Sequence, residues 1–178
     1  MALIDFFKVN QAPPDYVPTL QIGNDGHKQF IYDEFIKGHN PDFFYVPFHE
    51  NAIDCCEIIS SDYDAVSYSF TGCLMVVWQE VSGKVFVGHV ATDKDPEKDC
   101  KPQWEAMKSD VHRWLQFRPS DAIPQMPEGV TFVGCYGLVS FDKNFKSLTG
   151  WGVVIGSKSD GKWFVVEKRQ LLACAFDV

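Results

Sequence analysis

Residues 73–93 read Cys-Leu-Met-Val-Val-Trp-Gln-Glu-Val-Ser-Gly-Lys-Val-Phe-Val-Gly-His-Val-Ala-Thr-Asp. Two runs rich in β-branched and aromatic residues, Cys73–Gln79 and Val85–Thr92, flank Val81-Ser82-Gly83. That is the pattern of a strand, a tight turn and a returning strand. Gly83 suits the left-handed third position of a three-residue hairpin loop. Glu80 then faces Lys84, an opposite-charge pair that supports this register. Counting outward, Met75 faces His89 and Cys73 faces Ala91. Cys73 and His89 thereby become diagonal neighbours on one face, roughly 7–8 Å apart between backbones. A one-residue slip would send them to opposite faces.

Further short β-rich runs surround this hairpin: Ala65–Phe70, Val130–Ser140, Gly152–Ile155 and Trp163–Glu167. Two segments have helical spacing. Lys28–Lys37 presents Phe30, Ile31 and Phe35 to one face. Asp99–Phe117 spaces Trp104, Met107, Val111, Trp114 and Leu115 helically, with Pro119 just beyond. The first fifty residues are punctuated by Pro13-Pro14, Pro18, residues 23–26, residues 38–41 and Pro47. The expected fold class is α+β: a mostly antiparallel mixed β-sheet, doubled like a sandwich, with helices packed outside. A single domain over 1–178 is expected, irregular to about residue 60 and β-rich from about 65.

Composition narrows the function. The 178 residues carry 16 basic and 24 acidic side chains, a net charge of −8, and 46% are hydrophobic. No general basic surface is available for a phosphate backbone, so nucleic acid is not an expected partner. With 15 Phe the chain has ample apolar surface to bury and is not a disordered segment. No apolar run reaches the 18 or so residues of a spanning helix, so no membrane partner is expected. Met1–Lys8 lacks the basic and apolar regions of a classical signal peptide. The six cysteines are irregularly spaced, two of them adjacent, which points to free thiols in a reducing compartment.

Thr71-Gly72-Cys73, a hairpin and an in-phase His89 together suggest nucleophilic catalysis. A free Cys has a pKa near ~8.5, and a neighbouring imidazole can take its proton and later protonate a leaving group. Gly72 lets the backbone turn so that the Cys73 N–H can face a developing oxyanion. The imidazole tautomer needs an acceptor at its other nitrogen: Ser67, Asp93 or a backbone carbonyl. Against this stands the ordinary role of a buried Cys as a small hydrophobe and of a buried His as a satisfied core residue.

Phe70-Thr71-Gly72-Cys73, the apolar strand after it and His89 on the next strand resemble the Leu-Ser-Gly-Cys signature of bacterial toxin glutamine deamidases. That group includes the cytotoxic necrotising factor catalytic domain and Burkholderia lethal factor. The resemblance covers Ser67 to Asp93. It implies a deamidase-toxin-like fold in which Cys73 is the nucleophile, His89 the general base and acid, and Ser67 the orienting hydroxyl. Thr71 and Gly72 correspond to the motif's Ser and Gly. The departures are Phe70 for Leu, Thr71 for Ser and Ser67 for a Thr found in some members. The implied activity is that of a protein-glutamine deamidase, a cysteine-dependent hydrolase acting as a toxin or effector, with no cofactor. A target protein presenting a glutamine would be its partner, and a cognate immunity protein or chaperone a further one. The producer's cytoplasm, with delivery into a target cell by a specialised route, is the implied location. The same Cys–His pair would serve a transglutaminase or another cysteine hydrolase.

Asp93 and Asp95 open a charge-rich loop, residues 93–99, at the rim of this site. Most such runs are solvated surface; this one is placed to grip a substrate. His27, His39 and His49 with Cys55 and Cys56 fit no familiar zinc spacing, so no metal site is expected. Cys100 and His112 fall on different turns of the expected helix, and Cys135 reads as core. The competing class is a non-catalytic acidic interaction or immunity protein. It would bury Cys73 without a hydrogen bond to His89, whereas a deamidase would show the pair in an open groove.

Overall fold

The structure is a computed structural model and describes residues 2–22, 30–33 and 43–176. Twelve strands occur among the described residues: β1 (Gln21–Ile22), β2 (Phe30–Asp33), β3 (Phe43–Val46), β4 (Phe48–His49), β5 (Ile53–Glu57), β6 (Asp64–Tyr68), β7 (Leu74–Gln79), β8 (Val85–Val90), β9 (Arg113–Phe117), β10 (Thr131–Phe141), β11 (Ser147–Ser157) and β12 (Trp163–Ala175). Helix α1 spans Lys101–Met107. Sheet I runs β12-β11-β10-β6-β3 and sheet II runs β2-β5-β8-β7-β9, while β1 and β4 form a small ladder. The β3–β6 and β2–β5 pairs are parallel and the other pairs within the two large sheets antiparallel. This is a mixed, two-sheet α+β sandwich, as the sequence led us to expect.

Alternation along the strands assigns each face. In β7, Met75 and Val77 join Phe44, Val46, Ala65, Val87, Val139 and Val154 in the layer between the sheets. Leu74, Val76 and Trp78 point the other way, onto Trp104 of α1. The outer face of sheet I is closed by the N-terminal segment, where Leu3, Ile4, Phe7 and Val17 cover Tyr45, Val66, Tyr136 and Val153. The central strands of both sheets are therefore covered on both faces, which is why β3 and β7 read as continuous apolar runs rather than alternating ones. Each large side chain removed from water contributes roughly 1.5–3 kcal/mol. No helix among the described residues is long and apolar enough to cross a membrane.

Two helix expectations fail. Within Lys28–Lys37, residues 30–33 are strand β2, paired with Ile53–Cys56, and the remainder lies outside the described residues. Phe30-Ile31-Tyr32 is short and aromatic or β-branched, and a neighbouring strand satisfies its backbone better than an isolated turn of helix. Of Asp99–Phe117, only Lys101–Met107 is α-helical, and Arg113–Phe117 is β9 along the edge of β7. The apolar spacing there serves two elements. Trp104 caps sheet II from outside, while Trp114 faces Trp78 across the ladder. Cys100 and His112 consequently share no helix; Cys100 is buried and His112 exposed.

Candidate functional site

The hairpin register is the expected one. Met75 faces His89 and Leu74 faces Val90, the Glu80 N–H donates to the Lys84 carbonyl, and Gly83 has φ +92°. Cys73, Met75 and His89 thus share the face turned toward sheet I. Ser67 reaches that same layer from β6, where Ala65 is also directed inward.

Ser67 and His89 join the two sheets. Ser67 Oγ donates to the Val46 carbonyl at 2.6 Å, and lies 2.8 Å from His89 Nδ1. A carbonyl can only accept, so the single hydroxyl proton goes to Val46, and Ser67 Oγ must then accept from Nδ1–H. This fixes the tautomer: Nδ1 carries the proton and Nε2 is a bare lone pair. The ring is stacked on Phe70 at 4.0 Å between centroids and tilted against Phe48 at 4.5 Å. Complete burial pulls its pKa down to about 3, because charge in this apolar sandwich is poorly solvated. His89 is therefore neutral at ordinary pH, and its Nε2 has no hydrogen-bond partner among the described residues.

Cys73 immediately precedes β7, after Gly72 at φ +155°, a conformation that favours glycine although a Cβ there would meet nothing within 4 Å. Burial raises the thiol pKa; the Thr92 backbone N–H, chief among the opposing hydrogen bonds, pulls it back. The Thr92 hydroxyl donates to the Gly72 carbonyl at 3.0 Å and so ties the Thr71–Gly72 turn to the end of β8. A cavity of about 240 Å³ opens above the thiol, lined by Phe48, Asn51, Thr71, Cys73, Thr92 and Asp93 among others. Cys73 itself is 6% exposed. No hydrogen bond joins its sulfur to His89 Nε2.

The structure thus brings Ser67 to His89 and sets Cys73 on the same face at the floor of a pocket with Thr71 and Asp93 in its lining, while Gly72 lines a neighbouring depression. Asp95 is not in the lining; its carboxylate accepts the Glu97 N–H. A pocket reaches Cys73, as the deamidase expectation requires, whereas the full burial of His89 outside the pocket lining, the burial of the thiol and the missing Cys73–His89 bond fit the interaction-protein one.

Sequence reasoning missed Thr92, Asn51 and the pair His49–Asp54. Asp54 is fully buried and accepts from the His49 backbone at 2.9 Å and from its Nδ1 at 2.6 Å. Asp33 adjoins it, and burial first and Asp54 second raise the Asp33 pKa to about 7. Only the contact order of the fold reveals this cluster, since His49, Asp54 and Asp33 match no motif. It holds no metal-ligating group of three among the described residues. Of the histidines imagined beside it, His27 and His39 lie outside the described residues. Cys55 and Cys56 point to opposite faces of sheet II.

Removing the Ser67 hydroxyl tests the inter-sheet link. Ser67→Ala leaves Nδ1–H and the Val46 carbonyl buried without this partner, and we expect a loss of about 1–3 kcal/mol in urea unfolding. An unchanged midpoint would mean the bond contributes nothing net.

No protein-family profile matches the chain, and no curated protein matches it in sequence. Among solved structures it is similar to the C-terminal domain of CNFy from Yersinia pseudotuberculosis, with 9% identity and a TM-score of 0.33 over 84% of this chain. The chain spans 63% of the length of that domain.

Proposed function

We propose that the chain is a thiol-dependent protein glutamine deamidase. The observation that carries this reading is the fixed tautomer of His89. Ser67, itself committed to Val46, leaves Nε2 as an unpartnered acceptor on the face that also holds Cys73. A buried acceptor left without a donor is costly to folding, and a proton-accepting role beside a nucleophile explains its retention.

In the reaction, the Cys73 thiol turns from Thr92 toward Nε2 and gives up its proton as sulfur attacks the side-chain carboxamide carbon of a target glutamine. Catalytic hydrogen bonds are commonly long or absent before substrate is bound. Burial opposes the thiolate and the imidazolium separately, but the adjacent pair is neutral overall and bears a smaller penalty. Backbone N–H groups, that of Cys73 included, face the oxyanion. His89 returns the proton to the departing nitrogen, ammonia leaves, and a thioester remains. Water activated by His89 then releases the thiol and a glutamate. An amine in place of water would give transglutamination. The toxin or effector role, a delivered product of a producing cell and a cognate immunity protein or chaperone all follow from the motif resemblance at Phe70–Cys73 and belong to this proposal. The second reading, an acidic interaction protein, is favoured by the 6% exposure of Cys73.

Alkylation by iodoacetamide across pH, with the labelled cysteine located by mass spectrometry, separates the two. Deamidase chemistry predicts that Cys73 labels fastest of the six cysteines near neutral pH. In His89→Ala that rate should fall by roughly a hundredfold, the lower end of a general-base contribution. A Cys73 that resists labelling in the folded protein, or labels equally without His89, removes the catalytic reading and leaves the interaction protein.

A further inference from the structure

Resting on the deamidase reading, we infer that Asn51 is the residue that recognises the substrate's carboxamide. Asn51 stands at the tip of the β4–β5 connection with φ +66°, a left-handed position that Asn tolerates well. Turn geometry alone would be met by glycine, or by an asparagine whose side chain points into water. Here the side chain is only 7% exposed, lines the Cys73 cavity, and its Oδ1 is buried with no hydrogen-bond partner among the described residues. The amide of a residue lining that cavity offers one acceptor and one donor once an incoming group reaches its buried oxygen. An incoming glutamine amide offers the complementary donor and acceptor, and this match survives whichever way the Asn51 amide is turned. A carboxylate, which is the product of the reaction, can only accept, so it would leave the Asn51 oxygen unpaired. Asn51 would thus favour substrate over product as well as orient the carbonyl carbon for attack.

The mount is stiff. The Asp54 carboxylate holds both the His49 backbone N–H and the His49 ring, and the Ala52 carbonyl accepts the Ala91 N–H at 3.1 Å. The first of these ties closes the turn on itself, and the second fixes it to the end of β8, two residues beyond His89. Phe48, in β4 just before this connection, lies against the His89 ring. The short segment from Phe48 to Asn51 therefore lines the cavity and packs one side of the base.

Two alkylating probes that differ in this group test the assignment without a known target. Iodoacetamide carries a primary carboxamide beside the reacting carbon, and iodoacetate carries a carboxylate. We expect the rate ratio of iodoacetamide to iodoacetate at Cys73 to exceed that of free glutathione by roughly tenfold, the size of one neutral hydrogen bond. Asn51→Gly, which keeps the left-handed turn, and Asn51→Ala, which removes the amide without adding charge, should return the ratio to the glutathione value. His89 dependence should survive in both variants. A ratio equal to that of glutathione in the wild type, or one unmoved by both substitutions while labelling remains His89-dependent, overturns the role of Asn51 and leaves the deamidase reading standing. A Cys73 inert to both reagents overturns that reading, and this inference with it.

Discussion

Acidification from pH 7 toward 4 should destabilise the folded chain through His89 by up to about 1.4 kcal/mol per pH unit. The sign follows from where the proton goes. In the unfolded chain the imidazole has its ordinary pKa of 6.5, whereas burial in the folded chain lowers it to about 3. Between these values the unfolded state binds a proton that the folded state refuses, so stability rises with pH. The contribution is complete above about 6.5 and is lost progressively as pH falls toward 3. Burial acts in the opposite sense on Asp33, held up to about 7, and on Asp64, which is also raised. These carboxyls keep protons that the unfolded chain would release, so their part of the stability declines as pH rises. Urea midpoints measured from pH 4 to 7 in wild type and in His89→Gln isolate the histidine. In the wild type the His89 and Asp33 contributions largely offset each other over this range, so the variant should show a more negative slope, that of the carboxyls alone. In the wild type, the His89 ring resonances should show no titration above about pH 4. An NMR titration of His89 near its ordinary pKa would sink the account, and equal slopes in the two proteins would do the same.

The part of this arrangement that could be read beforehand is the part set by local rules. Gly83 and the pairing of Glu80 with Lys84 specify a register, and the register alone puts Cys73 and His89 on one face. Ser67 could be proposed but not placed, because its contact with His89 crosses between sheets, and no short-range periodicity reports on how two sheets stack. The same limit explains the failed helices. Trp104, Val111 and Trp114 are spaced as one helical stripe, yet the open edge of β7 offers Arg113–Phe117 a full ladder of hydrogen bonds. Strands β3 and β5 were hidden for a related reason. Covered on both faces, they show no alternation, and the prolines and glycines around them suggested irregular chain. Asn51 illustrates the hardest case: an ordinary turn asparagine in sequence acquires meaning only when its side chain is found buried and unpaired in the thiol pocket.

Gly152→Ala should cost about 3 kcal/mol, at the upper end for overpacking by one methyl group. At roughly 2–4 °C per kcal/mol for a chain of this size, the melting temperature would fall by about 6–12 °C. Gly152 and Gly137 face each other across the β10–β11 ladder, and with Gly150 they leave a bare track on the inner face of sheet I. Phe117 and the 3₁₀ turn Pro119–Ala122 lie in that track. A Cβ on Gly152 would sit 2.3 Å from the Pro119 carbonyl oxygen and 2.6 Å from Ala122 Cβ. The obstacle is backbone, and backbone that is already pinned. The Asp121 and Ile123 amides donate to the Arg118 and Ser120 carbonyls within the turn, while the Cys135 thiol donates to the Pro119 carbonyl at 3.4 Å. No side-chain rotation relieves such a contact, so the turn must shift, and with it the end of β9 where Phe117 pairs with Met75. Gly129→Ala is the matched control. Its φ of +76° makes alanine unfavourable, but a Cβ there meets nothing within 4 Å, so only the backbone term of about 1–2 kcal/mol applies. Because Met75 adjoins Cys73 and faces His89, Gly152→Ala should also alter the labelling rate of Cys73, whereas Gly129→Ala should leave it unchanged. Equal melting temperatures for the two variants would show that the turn yields freely and that the glycine track does not hold the sheets in place beneath the site.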